Sequence, residues 1–170
     1  MTRFGWVMST YFATLGVGLS GMIHPAPKLI WNASASVPAG LYAIHPAGAL
    51  YVTELVAVRP PEPLASFLAE RRYLPKGVPL LKRILALPGQ KVCRNDLTIT
   101  VDGIEIGEAL DRDSRGRKLP VWQGCHVVAA GDVFLMNWQS EDSLDGRYFG
   151  FLSASTIIGQ ADPLWTDEGE

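Results

Sequence analysis

An excess of charge of either sign is missing from this sequence. Its 15 basic and 17 acidic residues leave a formal net charge of −2, so nothing electrostatic argues for nucleic acid as a partner. Basic residues do not cluster: Arg112, Arg115, Arg117 and Lys118 are interleaved with Asp111 and Asp113, the pattern of a solvated loop. Cysteine is scarce. Cys93 and Cys125 are too few for a Cys-only zinc site, and neither lies in a CxxC pair. His24, His45 and His126 show no metal-ligand spacing. His126 follows Cys125, but catalytic partners usually come from distant segments, so their adjacency is not read as a Cys–His pair. Repeats and low-complexity tracts are also absent, and 170 residues suit one domain with a modest core and an appendage.

What the chain does have is an uncharged amino-terminal run. From Phe4 to Ile23, "FGWVMSTYFATLGVGLSGMI" holds no charged residue over 20 positions. As a helix it would span about 30 Å, the thickness of a bilayer's hydrocarbon core. Trp6 and Trp31 would then sit near the two interfaces. Arg3 and the terminal amine favour a cytoplasmic start, which Lys28 partly offsets. A cleaved signal peptide is the rival reading, with Gly18 and Ser20 before a cut, but the run is long for one. Residues 1–27 are therefore read as an anchor and short linker, and 28–170 as an exported domain. "GVGLSG", Gly16 to Gly21, matches the dinucleotide-binding GxGxxG pattern but lacks the preceding strand and following acid that such a site requires. It is set aside.

Beyond Pro27 the pattern is of short strands, which predicts a mainly β, antiparallel domain. "GLYAI", "ALYVTELVAV", "DVFLMNW" and "STIIGQA" read as strands. "LTITVDGIEI" reads as a hairpin whose Asp102-Gly103 turn is of type I′. Only Pro61 to Leu74 reads as a helix, with Leu64, Phe67, Leu68 and Leu74 on its apolar side. An exported domain would allow Cys93 and Cys125 to form a disulfide. It would close a loop of about 32 residues, worth roughly 3–4 kcal/mol in the chain-entropy account.

"VPLLKRILALPG", Val78 to Gly89, places two adjacent cations inside an apolar strand. Side chains alternate faces along a strand, so Lys82 lies with Leu80, Ile84 and Ala86, and Arg83 with Leu81, Leu85 and Leu87. Arginine keeps its proton to beyond pH ~12, whereas a buried lysine can become a neutral base. A base needs a nucleophile. "NASASVPAGLY", Asn32 to Tyr42, offers Ser34 and Ser36, although a polar turn entering a strand explains that stretch equally well. "SLDGRYFGF" places Ser143, Asp145 and Arg147 at alternate positions.

Ser36 with Pro38, "LLKRILALPGQKV" and "SLDGRYFGFL" occur in the order in which the type I signal peptidases carry their motifs. The sequence resembles that family from Asn32 to Trp165. The family consists of membrane-bound peptidases with a Ser-Lys dyad on a β fold. General members usually have Ser-Met-x-Pro, but here only Val37 separates Ser36 from Pro38. They usually have Gly-Asp-Asn where this chain has Met136-Asn137-Trp138. The shorter spacing, "ERRYLPKGVPLLKR", the two cysteines and "IIGQADPLW" resemble the TraF branch of conjugative-transfer peptidases.

The resemblance implies that Ser36 is the nucleophile and Lys82 the base. The Ser36 N–H and the Ser34 hydroxyl would form the oxyanion hole, and Ser143 would orient Lys82. Asp145 would pair with Arg147 or Arg83 in support. Burial would bring the lysine pKa from about 10.4 to about 7–8. The implied substrate is a membrane-bound pilin precursor, cleaved with or without cyclisation at the periplasmic face of a bacterial inner membrane. The amino-terminal helix would contact the lipid bilayer. Neither metal nor cofactor is needed. Two alternatives remain: a general signal peptidase acting on many exported proteins, and a non-catalytic anchored β domain that binds a pilus or secretion component.

Overall fold

The structure, a computed structural model, describes residues 2–21 and 27–167. Helix α1, Arg3–Ser20, starts at Thr2, whose hydroxyl accepts the Gly5 N–H. It buries none of its side chains. Thr10 and Thr14 return their hydroxyl protons to the carbonyls of Trp6 and Thr10, at 2.9 and 3.0 Å. "GVGLSG" lies at the end of this helix and its cap, with no strand before it. The expected crossing of a bilayer is not seen. Among the described residues no helix is long and apolar enough to span a membrane. Polar Ser9, Thr10 and Thr14 and the glycines dilute the apolar run. Met22 and Ile23, which would extend it, lie outside the described residues.

Strands β1 (Leu29–Asn32), β2 (Ala39–His45), β3 (Leu55–Val58) and β4 (Leu80–Ala86) follow, with helix α2 (Glu62–Glu70) between β3 and β4. Then come β5 (Lys91–Asn95), β6 (Thr98–Val101), β7 (Ile104–Glu108), β8 (Gly124–Val127) and β9 (Asp132–Leu135). A short helix α3 (Gly146–Phe149), β10 (Phe151–Ser153) and β11 (Ile157–Asp167) come last among the described residues. A seven-stranded sheet runs β1-β2-β11-β3-β4-β9-β10, and a four-stranded sheet runs β7-β6-β5-β8. The paired neighbours within both sheets are antiparallel. The mainly β architecture is as the sequence predicts.

Several local expectations hold. Asp102 and Gly103 both have positive φ, 50° and 83°, as a type I′ hairpin between β6 and β7 requires. Cys93 and Cys125 sit directly opposite one another on β5 and β8 and form a disulfide. That pairing removes Cys125 from any Cys–His chemistry.

Other expectations shift. The helix read over Pro61–Leu74 stops at Glu70. Arg72 turns left-handed at φ 57°, and the Tyr73 and Leu74 N–H groups fold back on the Leu68 carbonyl. The single strand read over "ALYVTELVAV" is only Leu55–Val58. Before it, Thr53 takes φ 78° and the Glu54 carboxylate accepts the Tyr51 N–H, which makes a turn of the first half.

The packing places β4 at the centre. Ile84 joins Val56, Leu135 and Leu68 of α2 in one apolar cluster. Leu81 joins Tyr42 and Leu55 in a second, and Leu85 and Ala86 join Val92 and Phe134 between the sheets in a third. With apolar clusters on both sides, β4 has little water near its middle residues. Gly40 serves the edge beside the serine loop: a Cβ there would lie 2.1 Å from the Trp165 carbonyl oxygen of β11. Only glycine allows so close an approach of β2 and β11.

Candidate active site

Asn32, at the end of β1 and 8% exposed, organises the serine loop. Its amide donates to the carbonyls of Ser34, Val37 and Pro38 at 2.8, 2.9 and 3.1 Å. Its oxygen accepts the Ser34 N–H and the Ser34 hydroxyl, at 3.1 and 2.8 Å. Tyr42 ties the far side by donating to the Pro38 carbonyl at 2.7 Å. A turn that this side chain closes from within holds Ser36 half-buried at its rim. The Ser36 and Ser34 hydroxyls are 2.9 Å apart.

Lys82 is 2% exposed. Strand alternation turns it into the molecule while Arg83 faces the other way, as the sequence suggests. The ammonium donates to the Ser143 hydroxyl at 2.7 Å. Removal from water lowers its pKa to about 8 from 10.5. Asp145 pulls the value up, and Arg147 pushes it further down. A lysine with a pKa near 8 is neutral in about one molecule in ten at pH 7, against about one in 3,000 for a free one.

Asp145 and Arg147 form a buried frame behind this pair, 0% and 2% exposed. The guanidinium Nε and Nη2 donate to the two carboxylate oxygens at 2.9 and 3.0 Å. Nη2 also donates to the carbonyls of Ser140 and Ser143, at 2.7 and 3.0 Å. Arg147 therefore holds the backbone that presents Ser143 to Lys82. Of the two partners expected for Asp145, Arg147 is the one found. Arg83 instead donates to the Thr53 carbonyl at 3.0 Å and lies over the Trp138 ring.

Three residues that sequence reasoning missed complete the frame: Asn32, described above, Asn137 and Arg94. Asn137, 3% exposed, straddles the base: its oxygen accepts the Arg83 N–H at 2.8 Å and its amide donates to the Leu81 carbonyl at 3.1 Å. Its own N–H donates to Asp145 at 3.1 Å. The side chain thus stands in for a strand on both sides of Lys82, and Asp145 anchors both Asn137 and Arg147. The only sequence signal was its place where the family usually has Gly-Asp-Asn. Arg94, fully buried, donates from Nη1 to the Arg147 carbonyl and from Nε to the Asp96 carbonyl. Burial pushes its pKa down, and Tyr148 partly offsets this.

We expect Asn137→Ala to cost about 2–4 kcal/mol, because it orphans the part-buried N–H of Arg83 and the buried carbonyl of Leu81. The urea unfolding midpoint checks this. A loss below ~0.5 kcal/mol would mean that Asn137 does not brace the strand.

Ser34, Ser36, Lys82 and Ser143 line one cleft of about 200 Å³, walled by Leu68, Tyr73, Leu74 and Leu80. Lys82 and Ser36 share this cleft, but the hydrogen bonds run from Lys82 to Ser143 and between Ser36 and Ser34. The Ser34 hydroxyl expected in an oxyanion hole is occupied by Asn32 and Ser36. A hydroxyl, a buried amine of lowered basicity and a cleft between them are the components of acyl transfer.

The family model for "Signal peptidase, peptidase S26" matches residues 1–165. The chain belongs to this family. Among its relatives, "Plasmid transfer protein TraF" of Escherichia coli is 29% identical over 169 residues, covering 92% of this chain and 96% of that protein. "Conjugal transfer protein TraF" of Agrobacterium fabrum is 35% identical over 147 residues, covering 79% of this chain and 81% of the relative. "Probable signal peptidase I-1" of Synechocystis is 31% identical over 120 residues, covering 71% of this chain and 55% of the relative. The chain is thus a TraF-type S26 peptidase.

Proposed function

We propose that this S26 peptidase is a Ser-Lys endopeptidase that processes a membrane-bound pilin precursor for conjugative transfer. The observation that carries the dyad is Lys82, a buried amine of pKa about 8 held by Ser143 in the cleft that Ser36 lines. In this reading Ser36 leaves Ser34 and turns toward the neutral Lys82 amine, which takes its proton. Ser36 Oγ then attacks the scissile carbonyl. The Ser36 N–H and the freed Ser34 hydroxyl receive the oxyanion, and protonated Lys82 returns its proton to the leaving amine. An acyl-enzyme on Ser36 remains. Apo hydrogen bonds at such sites are often looser than in the substrate complex.

Conjugation is taken from the relatives' names, and the pilin substrate from the resemblance of the motif spacing to the TraF branch. Residues 1–27 serve as the membrane-associated part and 28–170 as the periplasmic domain. Helix α1 carries no charge after Arg3 and returns its Thr10 and Thr14 hydroxyls to its own backbone, which supports lipid contact. The acyl-enzyme is released by water or by the amino terminus of the pilin. Mass spectrometry separates these routes, since a cyclic product is lighter by one water than the linear one.

The pH dependence tests the base. Activity requires neutral Lys82, so kcat/KM should rise with pH through an apparent pKa near 8. A rise centred near the ordinary lysine value would remove Lys82 from that role.

A further inference from the structure

The segment 111–118 reads in sequence as a solvated loop, yet it is bolted to the wall of the cleft. Asp113 is its hub. The Asp113 carboxylate accepts the Tyr73 hydroxyl, the Arg117 Nε at 2.7 Å, the Arg117 N–H at 2.8 Å and the Arg115 N–H at 3.0 Å. Arg117 Nη2 lies 2.6 Å from the same carboxylate. The Arg117 guanidinium also lies over the Tyr73 ring, 4.7 Å from its centroid, and donates to the Arg71 carbonyl at 2.9 Å. Arg71 returns the link by donating to the Lys118 carbonyl at 2.6 Å. Burial pushes the Asp113 carboxyl up, but the bonds from Tyr73, Arg117 and Arg115 outweigh it and hold the group below the usual carboxylate range.

What this clamp holds has little order of its own. Residues 73–79 follow the left-handed Arg72, include Pro75 and Gly77, and form no helix or strand. Tyr73 and Leu74 of this segment nevertheless line the same cleft as Ser36 and Lys82. The clamp fixes an otherwise irregular segment at the place where a substrate side chain would lie.

We propose that Tyr73, pinned by Asp113 and Arg117, is a specificity-determining residue. Its side chain is part of the cleft wall and limits the size of the substrate side chain seated in the cleft. Asp113 and Arg117 are positioning residues that act through Tyr73 and touch no reacting atom. This inference rests on the Ser-Lys reading. The physical basis is that an apolar pocket rejects each added methylene by about 10–200-fold when its walls cannot yield.

The test uses the full chain in detergent and two peptides spanning a cleavage site. They differ only in having Ala or Leu as the residue that supplies the scissile carbonyl. Wild type should favour the Ala peptide strongly. Tyr73→Ala should raise the Leu:Ala ratio of kcat/KM by about tenfold or more. Asp113→Ala should raise it too, and Asp113→Glu should restore part of the selectivity. Asp113→Ala also carries the test if Tyr73→Ala does not fold. An unchanged ratio in a folded variant whose activity still depends on Ser36 overturns the clamp alone. Wild-type cleavage that survives Ser36→Ala overturns the Ser-Lys reading instead. A wild type indifferent to Ala or Leu refutes the size limit.

Discussion

Ser36→Ala should abolish precursor cleavage while the protein keeps its fold. Loss of the serine in a triad enzyme costs on the order of 10⁶ in kcat, and a dyad nucleophile leaves no substitute. Stability should hardly move. Asn32 and Tyr42 close the serine loop from within and from the side. Ser36 contributes one hydroxyl contact at its half-exposed rim, to Ser34. The unfolding free energy should stay within ~0.5 kcal/mol. Substrate cleavage by gel or mass spectrometry, beside an unfolding curve for the same preparation, provides both readings. Wild-type cleavage by Ser36→Ala would end the Ser-Lys proposal. A large loss of stability would show instead that the hydroxyl supports the loop.

Lys82→Arg should lower activity by two or more orders of magnitude, in line with the ~10²–10⁴ supplied by general base catalysis. The guanidinium keeps the charge and holds its proton, so the variant cannot supply a neutral base. Arg83→Lys is the internal control and should keep most activity. Arg83 faces away from Lys82, and its bond to the Thr53 carbonyl and its place over Trp138 are within reach of a lysine. Lys82→Met avoids the extra bulk of arginine and should be equally inactive.

The same residue has a stability signature. Its folded pKa lies near 8, below the 10.5 of the exposed group. Between these values the unfolded chain binds the extra proton, so stability rises with pH across that window. Below about pH 8 both states are protonated and the cost of the buried charge is fully present. That gap corresponds to about 3 kcal/mol. The difference in unfolding free energy between Lys82→Met and wild type should therefore be larger at pH 7 than at pH 10. A difference independent of pH, or an active Lys82→Arg enzyme, would return Lys82 to a structural cation.

The strands that set the site were legible where the pattern was local. In "LLKRILA" the alternation of faces was enough to turn Lys82 inward and Arg83 outward. In "LTITVDGIEI" the turn chemistry of Asp102-Gly103 was enough to set the hairpin. By contrast, the turn before β3 and the early end of α2 depend on Thr53 and Arg72 adopting left-handed backbone. Neither residue type announces this: the Thr53 N–H is held by the Ile84 carbonyl of β4, and the turn at Arg72 by the return of the Tyr73 and Leu74 N–H groups to Leu68. The partner of Asp145 was open between two arginines for a similar reason. Arg147 was near in sequence and Arg83 lay beside Lys82, and the direction of β4 excluded Arg83.

The sequence by itself determined the β architecture, the inward lysine and the two serine segments, because side-chain periodicity and motif order are properties of neighbouring residues. The tertiary structure alone decided what braces them. Asn32 closes the serine loop, Asn137 bridges the backbone on either side of Lys82, and Asp113 reaches Tyr73 across 40 positions. Each of these is a polar side chain that satisfies groups which folding has removed from water. The partners of Asn137 and Tyr73 are chosen by which strands and loops meet, which no local pattern encodes, and those of Asn32 by how the loop that follows it curls back.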